Sequence, residues 1–84
     1  MPYSAERLSK LSSQDLSALV TTTLRELAAR PDTASFEALL AASQEAGLCV
    51  GQSARLLAEH GSWSQVAQIS GTSKQAAWSR WNQY

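Results

Sequence analysis

A single cysteine, Cys49, stands in the 84-residue chain, so neither an internal disulfide nor a cysteine zinc cluster can form. That fits a reducing compartment, with Cys49 read as a small helix residue rather than a reactive thiol. Valine and isoleucine are almost as scarce, numbering four (Val20, Val50, Val66 and Ile69) against 14 alanines and 11 leucines. The balance excludes a sheet and favours helix. No run approaches the ~20 apolar residues of a membrane span, and Met1 to Lys10 carries Glu6, Arg7 and Lys10 where a signal peptide needs an apolar core. A cytoplasmic protein is expected. The lone histidine, His60, has no companions in metal-ligand spacing, so neither a metal, a cofactor nor catalysis is expected. Seven basic and seven acidic side chains cancel, which removes bulk charge as a pointer to nucleic acid or membrane. The length suits a single domain, 1–84, that buries only about 60% of its unfolded surface and gains from a partner.

What is present is helical patterning. Ser12-Ser13-Gln14-Asp15 has the spacing of an N-terminal capping box, and Leu16, Leu19, Val20, Thr23, Leu24 and Leu27 follow at steps of three and four up to Arg30-Pro31. A helix over roughly 13–30 is predicted, ended by the proline. A short helix over Ala5 to Leu11 precedes it. From Thr33 to His60 no proline intervenes, and Phe36, Leu40, Ser43, Gly47, Val50, Ala54 and Leu57 fall on one seam of a long helix. Leu39, Leu48 and Leu56 widen that stripe. At 1.5 Å per residue such a helix spans roughly 40 Å, more than a monomer of this size covers, and a second copy is the simplest cover. Gly47 and Gly51 each cost about 1 kcal/mol of helix propensity, marking either a break near Gly47 or, as favoured here, a close helix crossing. Gly61 is read as the left-handed residue ending the helix, with His60 at the negative end of its dipole.

The informative segment runs from Gly61 to Trp81. Ser62-x-x-Gln65 and Thr72-x-x-Gln75 are two capping signatures in tandem, so two short helices start close together. Gly71 sits between them, where a tight turn needs a positive backbone angle. Ala67 supplies the small side chain for a close crossing of the two helices.

With these residues in order, Gly71-Thr72-Ser73-Lys74-Gln75-Ala76-Ala77-Trp78 resembles the opening of the recognition helix in small helix-turn-helix DNA-binding proteins of actinobacterial type. The likeness covers about 20 residues and weakens back through Ala54 to Trp63. It implies an all-α fold in which a helical dimerisation scaffold, about 12–60, is followed by a C-terminal helix-turn-helix, about 61–84. Ser70 departs from the pattern, since a large apolar residue usually precedes the turn glycine, and Ile69 is expected to supply that packing one place earlier.

On the second short helix Ala77, Trp81 and Tyr84 repeat as an inward face, with Trp78 beside it, read as core or dimer packing in preference to a DNA contact. Trp63 is read as a hydrophobic plug. The outward set is Ser73, Lys74, Gln75, Ser79 and Arg80, which with Thr72 suits a major groove, because lysine and arginine bond guanine acceptors and glutamine pairs with adenine. Gln75 also stands where a capping glutamine would be occupied. Ser62, Ser64 and Gln65, at the start of the first short helix, are placed to hold a phosphate. Residues 61–84 hold Lys74 and Arg80 and no acid, whereas residues 1–60 hold five basic and seven acidic residues. Two cations are few for a DNA surface, and a two-fold dimer doubles them. The expected function is therefore that of a sequence-specific or DNA-organising protein on double-stranded DNA, in the first instance a homodimeric, nucleoid-associated transcriptional regulator that inserts helix 73–82 into the major groove, with Leu16, Phe36, Leu40, Val50 and Leu57 at the dimer interface. The alternative is a helical protein-interaction module or adaptor that does not bind DNA. No residue pattern signals a ligand cavity, so direct sensing of a small molecule is not expected.

Overall fold

The computed structural model describes residues 3–82. Five helices occupy them, and no strand occurs among the described residues: α1 (Ala5–Leu8), α2 (Ser13–Ala29), α3 (Thr33–His60), α4 (Trp63–Ser70) and α5 (Lys74–Trp81). The short N-terminal helix stops at Leu8, three residues before the expected Leu11, because the Ser9 hydroxyl turns back to the Glu6 carbonyl. Serine in this role competes with continued helical bonding.

Local chemistry accounts for the helix ends. At α2, the Ser12 hydroxyl accepts from the Asp15 amide at 3.1 Å, as its spacing predicts. Arg30 leaves the helix with an extended backbone, the conformation that the following Pro31 imposes on its neighbour. Asp32 then starts α3, and this cap has no serine or threonine signature. Its carboxylate accepts the Ser35 amide at 2.6 Å. The Ser35 hydroxyl and amide together hold the Asp32 carboxyl below its usual pKa; slight desolvation opposes them, and the Arg30 charge assists.

The chain divides into two compact units, Met1–Ala41 and Ala42–Tyr84, and the division falls inside α3 rather than after residue 60. In the first unit Leu8, Leu11, Leu16, Leu19, Leu27 and Leu39 are half-buried, and Ser35 is its one buried described residue. Phe36 is 63% exposed and Leu40 53%.

In the second unit Ala54, Val66, Ala67 and Ala77 form the core, with Leu57, Ala58, Trp63 and Trp81 packed against them. Small side chains make this core, and no large side chain among the described residues is fully buried. Leu57 thus packs within its own chain, whereas Val50, from the same seam, is 51% exposed. Gly47 lies within unbroken helix, and a Cβ there would meet nothing within 4 Å. The expected crossing is therefore absent within the chain at Gly47. Gly51, one turn on, is buried, and a Cβ there would stand 3.3 Å from Arg55 Nη1 and 3.8 Å from Trp81 Cδ1, so side chains rather than a second helix backbone approach it. No helix among the described residues is long and apolar enough to cross a membrane.

Candidate nucleic-acid interface

α4 starts where Ser62 predicts, its hydroxyl accepting from the Gln65 amide at 3.1 Å. Gly61 is not left-handed, a correction to the sequence reading; the one described glycine with positive φ is Gly71. Space around Gly61 is tight instead. A Cβ there would collide with the Gln65 side-chain oxygen and press on the Leu57 carbonyl at 3.1 Å.

At the far end of α4, Gly71 adopts φ 72° and ψ 30°, the left-handed turn expected from the sequence. Its amide donates to the Ala67 carbonyl, and the Thr72 amide donates to the same oxygen at 3.0 Å. This double closure uses Thr72 as part of the turn, so the cap of α5 moves on by one residue. Ser73, not Thr72, accepts the capping bond, from the Ala76 amide at 3.1 Å. Gln75 consequently sits second in the helix, outside the capping-box position that a Thr72 cap would give it.

The packing of α4 on α5 follows from their small residues. Ala67 is buried and Ala77 is fully buried, with Trp81 one turn further along the same face. Tyr84, the third member of the expected inward face, lies outside the described residues. At about 100° per residue, Gln75 and Ser79 stand opposite Ala77. Trp78 and Ala76 flank that outer face on its two sides, and Lys74 and Arg80 each stand about 60° from Ala77, nearer the packed side; all six are exposed.

The other candidate residues occupy distinct roles. Ser62 and Ser73 have their hydroxyls in capping bonds. Ser64 and Gln65 are exposed in the first turn of α4, and Thr72 is exposed in the turn itself. Arg80 bends back over the Trp81 ring, 5.1 Å from its centroid, whereas Lys74 opens α5 directly before Gln75.

Two aromatic and apolar positions differ from expectation. Trp78 is 50% exposed, so of the expected core or dimer packing the core part does not apply within the chain. Ile69 is 71% exposed and does not replace the apolar residue missing at Ser70. Val66 and Ala67 fill the interior instead, and the Ser70 hydroxyl folds onto the Val66 carbonyl at 2.8 Å, which makes serine acceptable there. No three histidine, cysteine, aspartate or glutamate side chains converge among the described residues. No family model, curated protein or solved structure matches the chain.

Proposed function

We propose that the chain is a DNA-binding protein in which α4, the Gly71 turn and α5 form a helix-turn-helix, with α5 entering the major groove. The observation that carries this reading is the outer face of α5. Gln75 and Ser79 project from a helix clamped from behind by Ala67 and Ala77, beside Lys74, in a stretch that contains no acid. Gln75 is the adenine-reading candidate, now that Ser73 does the capping. Lys74 is placed for a base edge or the near phosphate, and the amides at the start of α4 for a second phosphate contact.

A homodimer is the proposed working form, and large apolar side chains left exposed along α3 support it. Phe36, Leu40 and Val50 are the exposed apolar residues we assign to that contact. Regulation of transcription is the role that a two-fold reader of half-sites would serve.

The competing reading, a protein-interaction module, draws on exposed Ile69 and Trp78 beside few cations. Selection of bound sequences from a random double-stranded DNA pool distinguishes the two. Enrichment of a site with two-fold symmetry is expected; recovery of an unenriched pool at every salt concentration overturns the DNA-binding proposal.

A further inference from the structure

The second unit contains a recess that the DNA-reading surface does not use. It lies between the middle of α3 and the end of α5, has a volume of about 410 Å³, and is walled by Leu48, Arg55, Arg80 and Trp81. Gly47 and Gly51, one turn apart on α3, leave its floor as bare helix backbone. The volume falls within the range of small-molecule sites.

Among the described residues its walls carry two guanidinium groups and no carboxylate. Arg55 is anchored by its Nη1 donating to the Trp81 carbonyl at 3.1 Å, which fixes one positive charge at the rim. Arg80 lies over the Trp81 ring with its Cζ 5.1 Å from the centroid, a cation–π contact that holds the guanidinium beside the recess. Its in-plane N–H fork is the part that matches a carboxylate. A flat glycine floor, the indole edge and Leu48 suit an apolar planar body. None of this is legible from residue order, because Gly47 and Arg80 meet only through the packing of Trp81 on α3.

We propose that this recess binds a small aromatic carboxylate, its carboxylate on the Arg80 fork and its ring on the Gly47–Gly51 floor. The Gly47 Cβ direction is open space, so Gly47→Leu fills the floor while leaving the protein's own contacts in place. Arg80→Gln removes the fork and its charge without altering the floor.

Calorimetric titration of the full chain with 2-naphthoate, its neutral carboxamide and acetate tests the proposal. One naphthoate site per chain is expected, with the carboxamide and acetate at least about tenfold weaker, the cost of losing one charge-assisted bond or the ring. Gly47→Leu and Arg80→Gln are each expected to weaken naphthoate by at least about tenfold, with helicity retained and the melting temperature not lowered, that of Gly47→Leu rising as a glycine leaves the helix. Absence of naphthoate binding at millimolar concentration, equal binding of the carboxamide, or undiminished binding by both folded variants overturns it. The titration contains no DNA, so its outcome and that of the DNA-binding reading are independent.

Discussion

Replacing glycine by alanine is expected to have opposite effects at Gly71 and Gly47, although the added atom is the same and meets nothing within 4 Å at either position. Sterics with the surroundings are thus absent from both, and backbone conformation alone decides. At Gly71 the φ of 72° places a Cβ against its own chain, which costs about 1–2 kcal/mol. At Gly47 the residue is within helix α3, where alanine gains about 0.5–1 kcal/mol over glycine. For a domain of this size 1 kcal/mol moves the melting temperature by roughly 4–8 °C. Gly71→Ala should therefore melt roughly 4–16 °C below the parent and Gly47→Ala roughly 2–8 °C above it. Circular dichroism at 222 nm, read at one chain concentration, measures both. A Gly71→Ala protein as stable as the parent would refute the turn on which the α4–α5 pairing depends. A destabilised Gly47→Ala protein would mean that another helix crosses there after all.

Further expectations concern caps, pH and assembly. Ser73→Ala removes the α5 cap and should cost about 1 kcal/mol, whereas Thr72→Ala should cost less in the same denaturant titration; the reverse order would return the cap to Thr72. Asp32 has a lowered pKa in the folded chain, so its contribution is present above the unfolded pKa and is lost as pH falls through the lower folded value. Thermal melts from pH 6 downward, below about pH 4 in particular, should show a flatter loss of stability for Asp32→Asn than for the parent, and identical slopes would count against the Ser35 hydrogen bonds. Leu40→Asp puts a charge on an exposed apolar site, so sedimentation should give a folded monomer where the parent dimerises; a parent mass that stays monomeric at all concentrations would remove the dimer.

Much of this architecture is legible in residue order because short-range chemistry sets it. Ser12, Ser62, Gly71 and the proline after Arg30 act on neighbours within four residues, and the helix bounds they imply agree with α2, α3 and α4 within about two residues. The choice between Thr72 and Ser73 could not be read that way. Both hydroxyls stand before a plausible first turn, and the outcome depends on the Thr72 amide closing onto Ala67. Periodicity placed Phe36, Val50 and Leu57 on one seam, yet only Leu57 is packed against the chain's own core. Spacing reports which residues share a face and not what covers it. On the candidate reading face, the exposure of Gln75 and Ser79 followed from the buried position of Ala77, whereas Lys74, on the same side as Trp81, is exposed at the first position of the helix. The inward bend of Arg80 did not follow, since it arises from the neighbouring Trp81 ring.

The DNA-binding proposal stands or falls with Lys74, Gln75 and Ser79 of α5. Fluorescence anisotropy of a labelled duplex, titrated with parent and folded Lys74→Ala across a salt series, reads that part of α5 through Lys74. Logarithmic affinity should fall linearly with logarithmic salt, and the variant's slope should be shallower by about 0.9 for each phosphate that Lys74 neutralises in the parent complex. Parent and variant binding with equal affinity and equal slope, or no binding by the parent at low salt, would show that this face does not meet DNA.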